Sequence, residues 1–138
     1  MLTQEQKTKL KAYLDEQVGK PYVFGIENDG ILNPGAWDCS ELVQNAISQV
    51  LKLKFCDGAR YQLHACRKLG PTEQEQVGDL GFLVDPEGTP ARHVVMVYDE
   101  MQVVEARGRP FSRVILCDKN YWINRKGFLR WYRPTVYG

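Results

Sequence analysis

The hydrophobic period of this chain changes once, at Gly78-Asp79, and that change restricts the folds open to it. Upstream of it, apolar residues recur at helical spacing. Thr3 and Gln6 have the spacing of a capping box, Leu10, Tyr13, Leu14 and Val18 continue on one helical face, and Gly19 with Pro21 stops the helix. Residues 21–36 read as irregular, with Gly25, Gly30, Pro34 and Gly35. A second helix is expected from Asp38, which can serve as N-cap with Glu41 at N3, and its apolar face is Leu42, Val43, Ala46, Ile47, Val50 and Leu51. A third is expected over 59–69, ended by Gly70-Pro71. Downstream, residues 80–84, 93–98, 101–106, 113–117 and 128–132 read as strands. Helices first and strands after predict an α+β fold, with N-terminal helices packed on an antiparallel β-sheet.

Composition excludes several classes of function. The 138 residues fit one domain over 1–138, and 43% hydrophobic with 25% charged residues suffices for an ordinary globular core. A net charge of +1 supplies no field for nucleic acid. No apolar run approaches the roughly 20 residues of a membrane span. The first eleven residues are polar and lack the apolar core of a signal peptide, so a cytoplasmic product is expected. Cys39, Cys56, Cys66 and Cys117 could pair as two disulfides, but nothing in the sequence indicates secretion. With no CxxC pair, only His64 and His93 as imidazoles and no glycine-rich phosphate loop, neither a metal nor a cofactor is expected.

Two residues carry potential chemistry. With Asp38 as N-cap, Cys39 falls at N1, where unpaired amide N–H groups and the positive end of the helix dipole favour a thiolate. The Cys39 N–H is also placed to donate to an oxyanion. Most free cysteines are simply small buried apolar residues, and periodicity alone favours that fate here. His93 opens an apolar strand after the polar stretch 85–92, where a histidine is usually half-exposed and inert. Its functional reading requires that it meet Cys39 in space. Glu105 is the candidate to orient it. A three-residue hairpin loop over 98–100 would place Glu105 opposite His93 on the same face, whereas a two-residue loop over 99–100 would send Glu105 to the other face. Considered alone, Glu105 is an exposed strand carboxylate. His64, with Arg60, Arg67 and Lys68 close by, reads as surface.

Five segments resemble the NlpC/P60 family of papain-like cysteine peptidases, in family order. Gly19-Lys20-Pro21-Tyr22-Val23-Phe24-Gly25 is similar to G-x-P-Y-x-[WY]-G, and Asp38-Cys39-Ser40 with Leu42-Val43 to D-C-S-G-[LF]-V. Val77-Gly78-Asp79-Leu80-Gly81-Phe82 resembles P-G-D-L-V-F, and His93-Val94-Val95-Met96-Val97 resembles H-V-G-[IM]-Y. Val103-Val104-Glu105-Ala106-Arg107-Gly108 resembles the segment with the third polar residue. The similarity runs from Gly19 to Gly108. Glu41 stands where the family usually has Gly, and Glu105 where many members have His, Asn or Gln.

The resemblance implies a papain-like fold and cleavage of an amide in bacterial cell-wall peptides, usually the bond from γ-D-glutamyl to a diamino acid. Carried over, Cys39 attacks the carbonyl, His93 takes and returns the proton, and Glu105 orients His93. Tyr22 matches a tyrosine near the oxyanion and substrate, and otherwise reads as a core aromatic beside Pro21. Asp38 and Ser40 match positions that bind the substrate's free amino end, besides capping the helix. The implied partner is peptidoglycan or a muropeptide. The form of 103–108 resembles phage-associated members, which implies phage tail or lysis partners and a virion-associated or lysis-released protein. A Cys-His-Glu set also occurs in the related CHAP amidases, so an N-acetylmuramoyl-L-alanine amidase is the alternative enzyme. A wall-binding or tail module without turnover is the alternative outside catalysis.

Overall fold

Thr3 caps the first helix as its sequence predicts: the Gln6 N–H donates to Thr3 Oγ1 at 3.1 Å, and the Thr3 N–H donates to Gln6 Oε1 at 2.8 Å. The structure, a computed structural model, describes residues 1–26, 34–84 and 91–138. The irregular segment expected over 21–36 and the polar stretch over 85–92 are therefore seen in part, with 27–33 and 85–90 outside the described residues.

The element order is α1 (Gln4–Gln17), α2 (Cys39–Asn45), a π-helical turn (Ala46–Val50), α3 (Ala59–His64), β1 (Cys66–Lys68), β2 (Leu80–Leu83), β3 (His93–Val97), β4 (Gln102–Arg107), β5 (Arg113–Asp118), α4 (Lys119–Ile123), β6 (Phe128–Pro134) and a 3₁₀ turn (Thr135–Tyr137). The strands form one sheet in the order β1-β6-β2-β3-β4-β5, every neighbouring pair antiparallel. The expected α+β architecture is present, with six strands among the described residues where five were read from the sequence.

The sixth strand comes from the segment assigned to the third helix. That helix stops at His64, where the Ala65 N–H closes the last turn on Tyr61 O and Gln62 O. Cys66–Lys68 then leaves as β1 and pairs with the end of β6, Cys66 opposite Pro134 and Lys68 opposite Tyr132. A backbone ladder outweighs a weak local helical preference. The second helix also departs from a continuous α-helix, widening into a π turn after Asn45, yet Ala46 and Ile47 of that turn stay in the core. α4 has no counterpart in the sequence reading. Asp118 caps it, accepting from the Asn120 N–H at 2.7 Å.

Strand alternation builds two cores. Val94 and Met96 of β3, Val104 and Ala106 of β4, and Leu80 and Phe82 of β2 pack under Leu10, Leu14, Leu42, Val43 and Ile47 of the helices. Val95, Val97 and Val103 face the other way, onto Trp122 of α4 and Trp131 of β6. Gly81 makes this second layer feasible: a Cβ there would lie 2.7 Å from Phe128 and 2.9 Å from Trp131 ring atoms.

Asp79 and Arg133 tie the start of β2 to the end of β6. Arg133 Nε donates to Asp79 Oδ1 at 2.8 Å and Nη2 to Oδ2 at 2.7 Å, with both residues buried. The preceding Gly78 holds a φ of 92°, and a Cβ there would meet Leu2 Cδ1 at 2.9 Å, so a larger residue in the Gly-Asp turn would be strained and would displace Leu2. A bidentate buried pair is costly to break, and without Asp79 the buried Arg133 keeps only a longer contact to Glu73 at 3.7 Å. Asp79→Ala is therefore expected to lower the unfolding free energy by about 3 kcal/mol or more, measured by urea denaturation.

Candidate active site

Cys39 owes its position to Trp37. The Trp37 side chain is fully buried, its Nε1–H donates to Gln17 Oε1 at 3.1 Å, and its ring meets Tyr13 edge-on. Its backbone N–H donates to Pro21 O, and its carbonyl accepts from the Val23 N–H, both at 2.9 Å. The next residue, Asp38, caps α2, with Oδ1 accepting from the Glu41 N–H at 2.9 Å. Cys39 is thus the first residue of α2, where a helical N–H has no intrahelical acceptor. A bridge to Trp37 carries Tyr22 alongside, while the Tyr22 N–H donates to Ser112 O.

The β3–β4 hairpin supplies the second half. Its loop is three residues long, but it spans 99–101 rather than the expected 98–100, closed by the Tyr98 N–H donating to Gln102 O. Val97 lies opposite Val103 and Met96 opposite Val104, because Asp99 Oδ1 accepts from the Met101 and Gln102 N–H groups and moves the turn along the chain. Continuing that register puts Arg107, not Glu105, opposite His93. The displacement is two residues, so side-chain parity survives and Glu105 remains on the face of His93 as its diagonal neighbour.

Across that diagonal His93 Nε2 lies 2.9 Å from Glu105 Oε1. The Glu105 side chain has no exposure, whereas that of His93 retains 17%. Glu105 Oε2 accepts from Trp122 Nε1–H at 2.6 Å, and Arg107 Nε stands 3.6 Å from Oε1. The Trp122 ring lies beside the His93 ring, with centroids 5.2 Å apart. With Nε2 engaged by Glu105, the other ring nitrogen of His93 is left for Cys39, whose thiol is within hydrogen-bonding reach. Burial opposes a charge on His93, but the hydrogen bonds and charges of Cys39 and Glu105 outweigh it and raise the imidazole from 6.5 to about 9. The imidazole is therefore held protonated at neutral pH.

Cys39, His93, Arg107 and Trp122 line a cleft of about 1040 Å³. Tyr22, Asp38 and Ser40 line it too, and with Glu105 behind His93 the structure brings together all six residues singled out in the sequence. Burial foremost, then Cys39 and Asp38, push the Tyr22 hydroxyl above its ordinary value. Asp38 is already engaged, its Oδ2 accepting from the Gly25 N–H at 3.2 Å, and burial and then Asp57 raise its carboxyl despite those bonds. Ser40 Oγ donates to Asp57 Oδ1 at 3.0 Å. Glu41 is fully buried and does not line the cleft, so it adds no charge to the lining. Cys56, Cys66 and Cys117 lie outside the cleft lining, and burial pushes Cys66 up to about 12. His64 is exposed, as expected. Among the described residues no group of three or more His, Cys, Asp or Glu could hold a metal ion.

Trp122, Arg107 and Arg125 escaped the sequence reading. All three line the cleft. The available signal was the Asp118-Lys119-Asn120 cap ahead of Tyr121-Trp122, which announces a short helix carrying aromatics.

A helix-borne cysteine thus faces a strand-borne histidine with a buried carboxylate behind it. The chain belongs to the NlpC/P60 family, whose model matches residues 19–128. No curated protein matches the chain. It is similar in structure to NlpC1 from Trichomonas vaginalis, with 18% identity and a TM-score of 0.74, covering 96% of this chain and 45% of that one. It is similar also to the peptidoglycan hydrolase RipB from Mycobacterium tuberculosis, with 23% identity, a TM-score of 0.69 and coverage of 98% and 69%. RipD from the same organism, described as a non-catalytic NlpC/p60 domain protein adapted to peptidoglycan binding, shares 22% identity at a TM-score of 0.68, covering 97% of this chain and 100% of that one. The chain thus spans less than half the length of the Trichomonas protein. At these identities the likeness is one of fold.

The raised imidazole sets a pH dependence. Its stabilisation is complete below the ordinary 6.5 and lost as pH rises through about 9, where the proton leaves His93. If turnover needs that proton, the alkaline limb of kcat/KM falls near pH 9 in the wild type. Glu105→Gln removes one cause of the rise, so the limb is expected at lower pH, together with a loss of about 100-fold in rate, both read from a pH–rate profile.

Proposed function

We propose that this chain is a cysteine hydrolase of peptidoglycan stem peptides, cutting the amide from a γ-D-glutamyl residue to a diamino acid. The observation that carries this reading is the continuous contact from Glu105 through His93 to Cys39 at the wall of an open cleft. Cys39 Sγ attacks the carbonyl carbon while the thiol proton resides on His93. Negative charge develops on the carbonyl oxygen, where the Cys39 N–H and the Tyr22 hydroxyl are available as donors. His93 then passes its proton to the departing amine, and a thioester to Cys39 remains. Water attacks that thioester with His93 as base, releasing the acid and restoring the thiol. Glu105 orients the ring and balances the imidazolium throughout.

The choice of substrate rests on family membership and on relatives such as RipB, described as a peptidoglycan hydrolase. The form of residues 103–108 supports a phage-borne member with a tail or lysis partner. A binding role without turnover, as described for RipD, is the competing reading that the same fold supports. Digestion of purified peptidoglycan, with mass spectrometry of the fragments, separates these readings. The wild type is expected to release peptides cut after γ-D-glutamate, and Cys39→Ala none. Release of whole stem peptides from the sugar would instead identify an amidase. Binding of folded protein to the wall without any product would identify a binding module.

A further inference from the structure

Among the described residues the cleft is lined by five arginines, Arg60, Arg92, Arg107, Arg109 and Arg125, against a single carboxylate, Asp38, which is taken up by capping α2. A chain with a net charge of only +1 has concentrated cations at one place. Two of them are built into a wall. The Arg107 guanidinium lies 4.3 Å from the Tyr121 ring centroid and 5.1 Å from that of Trp122. Arg125 lies 5.8 Å and 5.5 Å from the same two rings and donates from Nη1 to the Tyr121 hydroxyl at 2.8 Å. Stacking of this kind holds a guanidinium in place while leaving its outward N–H groups for a ligand. Arg107 has the Glu105 carboxylate at 3.6 Å, whereas Arg125 has no carboxylate within ion-pair distance among the described residues.

The position of this wall gives it a meaning. Trp122 packs against both arginines and against the His93 ring, so the arginines stand on the histidine side of the site. In acyl transfer the histidine protonates the departing amine, which places the leaving group on that same side. We propose that Arg125, with Arg107 beside it, receives a free carboxylate of the leaving amino acid, so that the preferred substrate releases an amine that also bears a carboxylate. This inference rests on the peptidase reading and adds to it a requirement on the leaving residue. A planar guanidinium suits the two oxygens of a carboxylate, which a neutral amide cannot match.

The test uses two γ-D-glutamyl diamino-acid peptides, alike except that the leaving residue ends in a free carboxylate in one and a primary carboxamide in the other. Wild-type protein is expected to favour the carboxylate by about tenfold in kcat/KM, chiefly through KM. That ratio is expected to fall towards one in Arg125→Gln and to survive in part in Arg125→Lys, which keeps the charge but not the fork. Arg125 is exposed, so neither variant disturbs the core. An unchanged ratio in Arg125→Gln, or no preference in the wild type, would overturn the proposal and leave the peptidase reading standing. Absence of turnover on both peptides by folded wild-type protein would overturn the peptidase reading, and this inference with it.

Discussion

A carboxylate with no exposure needs partners on both oxygens, and Glu105 draws them from separate parts of the fold. His93 comes from the first position of β3, Trp122 from α4 and Arg107 from the end of β4 itself. Removing any of these would leave charge stranded in a low-dielectric layer between the sheet and α4. The burial that makes Glu105 demanding also makes it effective. A surface carboxylate would be screened by water, whereas this one, with Cys39, lifts the imidazole to about 9 against the cost of burying it.

The rest of the molecule supports that contact. The sheet places His93 and Glu105 on the α4 side, while α2 on the other side presents Cys39 from its first turn. Trp37 fixes where that turn begins, through Gln17 of α1 and the backbone around Pro21. Gly81 leaves room for the Phe128 and Trp131 rings that share a layer with Trp122. Cys39 and His93 therefore reach the cleft from opposite faces of the sheet, Cys39 from the helical side and His93 from the side of α4.

Much of this was legible in the chain. Thr3 with Gln6 and Asp38 with Glu41 announce helix starts through hydrogen bonds that form within four residues. Parity along a strand is equally local, so the shared face of His93 and Glu105 survived a hairpin register displaced by two residues. What was illegible depended on distant partners. The segment 66–68 is a strand because of Pro134 and Tyr132, far away in sequence. Trp122 matters because of Glu105, and nothing around position 122 reveals that acceptor. The arginines are scattered from 60 to 125, and a net charge near neutrality hides a cleft that gathers five of them.

The proposed chemistry depends on His93 carrying a proton at neutral pH because Glu105 and Cys39 hold it there. The most direct measurement is an NMR titration of the His93 ring nitrogens in the wild-type protein. The expected result is an imidazolium at pH 7 that loses its proton near pH 9. A ring that is neutral at pH 7, titrating at or below the ordinary 6.5, would contradict it.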